Sequence, residues 1–331
     1  MYYPPLPTGL ADCYDARGAR MDCTDAFQDA SIFPEIIAPY PRFEEAGEGL
    51  VRDRLTGLVW TRQANPAGFP LPWPEALAFV ADMNARAALG HGDWRLPNRR
   101  ELRSLVSHGA KNPALPEGHP FAGVVSNWVW TSTSSAMAPA YAWRIHLAGA
   151  RMFYGKKTED SLVWPVRGRP EILPRTGQRT CFDAQGSGVP CAGTGQDADA
   201  AMGVPWPEPR FSRDGGEVAD HLTGLIWKAD ADIAKGLVSW EGALARLERL
   251  RDASGLAWRL PNINELESLT DASRHDPALP EDHPFDNPRE AYWSSTTSFY
   301  EPDWAYCLYL HKGAVGVGYK PKLEFSVWAV R

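Results

Sequence analysis

The sequence predicts an α+β protein of two tandem domains, each with two helices followed by short strands. Three observations predict it. First, nearly the whole chain is written twice: "DWRLPNRREL" at 93–102 returns as "AWRLPNINEL" at 257–266, and "DRLTGLVW" at 53–60 as "DHLTGLIW" at 220–227. Such self-similarity fixes the architecture before any local reading. Second, 29 Gly, 29 Pro and 14 Trp in 331 residues describe a loop-rich, aromatic-heavy fold, because a helix bundle would be poor in helix breakers. Third, in both copies two segments of helical period precede segments of strand period.

The front edges of the copies match from Thr8 to Cys23 and from Thr176 to Cys191, and the boundary falls in the Pro-containing stretch "GRPEILPRTG". Two homologous domains follow, residues 1–169 and 170–331, each of a size that supports one core. In the preamble of each copy the same C-x9-C spacing pairs Cys13 with Cys23 and Cys181 with Cys191, around Asp- and Gly-containing turns. Cross-strand disulfides are the expected reading, each contributing about 3 kcal/mol by loop closure. Zinc and unpaired thiols are the alternatives, and one C-x9-C per domain lacks the close ligand pairs that zinc favours. Cys307 is left over.

The next element is a helix, "PWPEALAFVADMNARAA", with Leu77, Val80, Ala81 and Asn84 expected on its inner side. Its counterpart, "SWEGALARLERLRDA", presents Ala243, Leu244, Leu247 and Leu250 and is capped by Ser239. In "WRLPNRREL" Asn98 is an N-cap and Glu101 its capping-box partner, with Leu102, Leu105 and Val106 on the apolar side. Asn262, Glu265, Leu266 and Leu269 repeat the arrangement. Pro97 and Pro261 hold the preceding Leu extended. Arg95 with Glu101, and Arg259 with Glu265, read as fold-internal ion pairs rather than an acid/base pair. His119 and His283, each in "HPF", read as hydrogen-bonded turn residues because no second ligand stands at metal spacing in both copies. "WVWTSTSS" and "AYWSSTTS" read as strands ended by hydroxyl-rich turns, and "YAWRIHLAGARMFYG" as a hairpin turning at Ala148-Gly149.

Charge argues against a general nucleic-acid partner. The net charge is −7, with 18 Lys/Arg against 17 Asp/Glu in residues 1–169 and 16 against 24 in 170–331. No apolar run approaches the ~20 residues that span a bilayer. Residues 1–10 lack a basic n-region and an apolar h-region, so either the protein stays inside or an export signal has been removed; the paired cysteines favour the second, an extracytoplasmic location.

"TGLxW", "WRLPNxxEL", the "YWSST" strand, the Gly-turned hairpin and the closing "VWPVR" and "VWAVR" together resemble the Lcl C-terminal domain family, named for a Legionella collagen-like adhesin. The resemblance covers both copies and their preambles. It implies a C-type-lectin-like module with a twisted, mostly antiparallel sheet whose late strands display ligand contacts, and adhesin-type glycan binding as in the namesake. No collagen-like stalk is present.

No convincing nucleophile, acid/base pair or metal cluster stands out, so no enzyme and no cofactor are expected. The lectin-like relatives that oxidise cysteine need reactive thiols, and Cys307 alone is unpaired. Asp197 and Asp199 form a D-x-D on a Gly-rich loop, too few ligands for Ca2+ by themselves. Binding is better supported. Where the copies differ most, the first has Arg144, His146, Arg151, Phe153, Tyr154, Lys156 and Lys157, and the second Trp304, Tyr306, Tyr309, His311, Lys312, Tyr319, Lys320 and Lys322. With Trp143, Ile145 and Leu147 inward, alternation turns Arg144 and His146 outward, and likewise Cys307 and Tyr309. Aromatics suit sugar rings and bases suit anionic substituents; residues 141–169 hold six Lys/Arg against two acids. The expected partner is a glycan, anionic for the first copy, or a protein; the alternative role is an envelope or appendage scaffold.

Overall fold

The structure is a computed structural model that describes residues 2–24, 26–32 and 39–331. The chain forms two compact units. One comprises Met1–Ile36, Ser107–Ala110 and Trp206–Arg331; the other comprises Ile37–Val106 and Lys111–Pro205. The compact units are therefore divided differently from the sequence repeat at 169/170, because each cysteine-bearing preamble packs on the core of the other copy. Both units are α+β with antiparallel sheets.

In the unit of the first core, strands Phe43–Glu45, Leu50–Asp53, Val59–Thr61 and Val166–Arg167 form one antiparallel sheet. The helix Trp73–Ala85 begins with Pro in its first turn, where the missing N–H costs nothing. It buries Trp73, Ala76, Val80 and Met83. Ala81, expected on this side, is exposed, since the stripe set by 76, 80 and 83 leaves it on the solvent flank. Asn84 instead clamps the next element, accepting from the Trp94 N–H at 2.7 Å and donating to the Trp94 carbonyl at 2.8 Å. The second core repeats this helix as Trp240–Ser254, with Ser239 Oγ accepting from Gly242 N–H and Gly255 in the left-handed cap position.

Both capping boxes form. Asn98 Oδ1 accepts from the Glu101 N–H at 2.9 Å while Glu101 Oε2 accepts from the Asn98 N–H at 2.9 Å, and Asn262 with Glu265 does the same. The same glutamates hold Arg95 at 2.6 Å and Arg259 at 2.7 Å. Glu101 is fully buried, which raises its pKa against the opposing pull of Arg95. These charges thus tie each short helix, Arg99–Ser104 or Ile263–Ser268, to the strand-like segment before it.

The late strands Trp128–Ser134, Tyr141–His146 and Met152–Lys156 form an antiparallel sheet in one unit, and Tyr292–Thr297, Trp304–Tyr309 and Ala314–Tyr319 in the other. Helices cover both faces. Trp130 and Ala142 join the core made with Trp73, Val80 and Met83, while on the other face the Arg99 guanidinium lies 4.2 Å from the Trp143 ring centre. Trp293 and Cys307 pack likewise with Trp240, Ala243 and Leu247, with Ile263–Ser268 against the same strands. Indole N–H groups pin the layers at equivalent places: Trp73 to Thr131 O and Trp240 to Ser294 O, Trp130 to Leu71 O and Trp293 to Val238 O. Tryptophan supplies a large apolar body and one donor, so each both fills the core and satisfies a buried carbonyl.

The preambles dock through polar nails that the repeat preserves. Each carries its disulfide, Cys13–Cys23 or Cys181–Cys191. Asp197 accepts from the hydroxyls of Thr133 and Thr176, both at 2.7 Å, and Asp29 from Thr296 at 2.8 Å. The same Thr133 and Thr296 oxygens accept from the first N–H of each short helix at 3.1 Å. The hydroxyl-rich run, expected as a turn, is therefore buried strand that grips the preamble. From the other side Lys157 Nζ donates to the carbonyls of Phe182 and Asp183, and Lys320 Nζ to those of Tyr14 and Asp15.

Candidate functional site

Placement divides the expected ligand residues sharply. Lys157 and Lys320 are fully buried and committed to the preamble carbonyls. Burial pulls their pKa values down to about 8 and about 7 respectively. Tyr306 is buried against His108, ring centres 4.5 Å apart. Cys307, expected outward, is buried in the core, which pushes its thiol pKa up. All four are corrections: Tyr306 and Cys307 stand on strands packed on both faces, where alternation reveals no solvent side, and Lys157 and Lys320, just past their strand ends, are covered by the preambles.

Register separates the rest. In the first core Trp128 pairs with His146, and Trp130 with Arg144 and Arg144 with Phe153, so these share a face. Tyr154 and Lys156 lie on the opposite face, Tyr154 edge-on to Trp143 and Tyr141. In the second core Trp304 and Tyr319 share the face of Tyr306, ring centres 5.6 Å apart, whereas Tyr309 lies on the Cys307 face against Phe325. Lys312 sits over the Tyr309 ring at 4.9 Å, Lys322 pairs with Glu324, and His311 is half-buried beside Tyr309.

One cluster combines aromatic and cationic groups at the surface. Arg144 spreads over Trp128 and Trp130, 4.9 and 5.4 Å from their ring centres, and donates to Glu159 Oε2 at 2.7 Å and to Ser161 Oγ at 3.2 Å. Gly155 makes the room, since a Cβ there would stand 2.2 Å from Arg144 Cζ. Trp128 is half-exposed and edge-on to His146 at 4.8 Å. His146 Nδ1 lies 2.9 Å from the Ala148 carbonyl and 3.1 Å from the Ala148 N–H; burial lowers its pKa, helped by the Arg151 and Arg144 charges and opposed by the Ala148 carbonyl. Arg151, at the hairpin end, is exposed. Sequence reading missed Trp128, Glu159 and Ser161; cross-strand pairing of Trp128 with His146 was the signal that could have found the first.

The remaining candidates are structural. Asp197 is buried with its carboxylate on two hydroxyls and its pKa raised, and Asp199 accepts from the Gly195 N–H. Among the described residues no group of three or more His, Cys, Asp or Glu stands at metal-binding distance. His119 and His283 lie against Phe121 and Phe285, their pKa values lowered by burial. No helix among the described residues is long and apolar enough to cross a membrane.

No curated protein and no solved structure gives a significant match to the chain. A family model does: the Lcl C-terminal domain, at residues 49–167 and again at 216–331. The two matches begin and end with the repeated cores, leave out both disulfide preambles and cover well over half of the sequence. The chain therefore belongs to the Lcl C-terminal domain family, in two tandem copies.

Proposed function

We propose that the chain is a non-enzymatic, extracytoplasmic recognition protein of adhesin type, built on C-type-lectin-like modules, whose first core binds an anionic glycan. The observation that carries this is the surface strip Trp128, Arg144, His146 and Arg151. A half-exposed indole offers a face for the C–H side of a sugar ring, and the guanidinium beside it offers paired donors for a carboxylate or sulfate. Arg144 spends one of those donors on Glu159, whose side chain is half in solvent and free to yield it to a ligand. The two disulfides fit an oxidising compartment. The second core, where Cys307 and Phe325 occupy the positions of Arg144 and Ser161, lacks this arrangement and serves as support.

The test is a glycan array followed by titration with sulfated and neutral oligosaccharides. Binding of a sulfated or uronic glycan should fall with Trp128→Ala. It should lose part of its salt dependence with Arg151→Ala, because exposed charges are screened. Lys156 and Lys157, on the other face or in the core, are left untouched. Binding that survives both changes would remove the strip as the site. Absence of any glycan binding by the parent would favour the scaffold role, with the strip making protein contacts.

A further inference from the structure

In the first core a pocket of about 300 Å³ opens between the helix Trp73–Ala85 and the turn at Ala88–Gly90. Its lining includes Phe79, Met83, Leu89, Gly49, Gln63 and Arg86. At that volume it stands at the lower end of small-ligand pockets.

Two differences between otherwise matching copies converge on it, beside one shared glycine. First, Phe79 stands where the second core has Arg246, whose side chain reaches across to donate to the Ala234 carbonyl at 2.9 Å. Second, the segment between helix and "WRLP" is longer in the first copy, and the added residues form the outer wall. There Ala87 and Leu89 both adopt left-handed backbone, at φ 46° and 54°. That costs about 1 kcal/mol or more per non-glycine residue and persists where surroundings over-determine it. The anchor is Trp94, whose indole N–H donates to the Ala88 carbonyl at 2.9 Å while Asn84 holds its backbone. The strain leaves Leu89 45% exposed over the pocket rather than buried. Gly49, matched by Gly216 in the second copy, lies at φ 74° and lets Leu89 approach, since a Cβ there would lie 3.2 Å from Leu89 Cδ2.

The rim is polar. Arg86, in the lining and with its side chain 57% exposed, donates through Nε to Asp82 at 2.8 Å; Gln63 is exposed beside it. We propose that this pocket binds a small amphipathic carboxylate, with a single aromatic ring or short acyl chain between Phe79, Met83 and Leu89 and its carboxylate on Arg86. The second core carries Arg246 in place of Phe79 and a shorter segment in place of the Leu89 wall.

The experiment uses the full chain, with 3-phenylpropionate, octanoate and the uncharged 3-phenylpropanol as probes, read by saturation-transfer NMR and calorimetric titration. The two acids should bind, and the alcohol should bind about tenfold more weakly, the worth of one charge-assisted contact. Arg86→Gln should remove that preference for the acid. Phe79→Arg, which copies the second core, should abolish binding while the far-UV spectrum stays unchanged. Leu89→Gly should weaken binding while holding or raising the melting temperature, because glycine adopts the left-handed backbone without strain; a merely structural Leu89 would instead lower it. Three results would overturn the proposal: no saturation transfer to either acid at millimolar concentration, equal binding of acid and alcohol, or unchanged acid binding by both Phe79→Arg and Leu89→Gly.

Discussion

Lys320→Met tests how the first preamble is held. Lys320 Nζ donates to the carbonyls of Tyr14 and Asp15, both at 3.1 Å, and lies 4.1 Å from the Trp240 ring centre. Methionine has similar length but no donor, so two buried carbonyls lose their partner at about 1–3 kcal/mol each. Against this, methionine avoids the cost of bringing an amine into the interior, and a net loss of about 2–4 kcal/mol is expected. Burial holds the Lys320 pKa at about 7, against 10.5 for an ordinary lysine. Between those values the unfolded chain binds more protons than the folded one, so the contribution of Lys320 to stability rises with pH across that window and is least below pH 7. The gap between parent and variant should therefore widen from pH 7 toward pH 10, by up to ~1.4 kcal/mol per pH unit. Urea unfolding at several pH values measures the gap, and hydrogen exchange in residues 13–21 locates it. A loss under ~0.5 kcal/mol with unchanged exchange in the preamble would refute the anchoring role.

Three further outcomes follow from the same interior. Asp29, buried under Thr296, has its pKa pushed up to about 6, so folding favours its protonated form; that stability is lost as pH rises from about 4 through 6. Asp29→Asn should gain melting temperature relative to the parent over that interval, and a constant difference would contradict it. Glu101→Ala strands Arg95 and removes the helix cap, at about 3–5 kcal/mol in denaturant titration; a loss below 1 kcal/mol would show the pair to be idle. Mass analysis of unreduced protein should find Cys13–Cys23 and Cys181–Cys191 linked, with Cys307 unlabelled by maleimide until denaturant is added.

What the sequence disclosed is what neighbours in the chain decide. Capping boxes, the cross-strand cysteine pairs, the Gly149 turn and the helical stripes all depend on spacings of ten residues or fewer, and all are present. Ala81 failed because a stripe read over four positions leaves its edges undetermined. The larger misreadings came from distance. Nothing local tells Lys157 from Lys156: one is fully buried and the other exposed only because a preamble carbonyl lies above the first. Nor does a period of two tell a strand with one wet face from a strand covered by a long helix on one side and a short helix on the other, and Cys307 and Tyr306 were misplaced for that reason. The preamble partners were invisible in the same way, since matched copies offer matched grooves and only the folded chain shows which is taken.

The repeat itself supplies the strongest constraint on where function resides. Wherever the two copies agree, the structure gives the agreement a mechanical use: the indole clamps, the Thr hydroxyl between helix and Asp, the lysine under two carbonyls. Wherever they differ, the frame stays and its filling changes. Gly155 and Gly318 leave the same space over a tryptophan, and the first copy fills it with the Arg144 guanidinium, the second with the Phe325 ring, 2.3 Å from where a Gly318 Cβ would stand. A ring there closes the surface with apolar contacts, whereas a guanidinium keeps donors at the rim and needs a carboxylate, Glu159, to balance it. The pocket wall follows the same logic, with Phe79 in the first core where the second has Arg246 reaching to the Ala234 carbonyl. Both departures toward openness fall in the first core, at a cost in strain at Leu89 and in a charge lodged against tryptophan that the second core shows to be unnecessary for folding. The proposed recognition is therefore tested on the first core, with Arg144→Cys combined with Ser161→Phe, and Phe79→Arg, as substitutions to residues that the second copy carries at the same places.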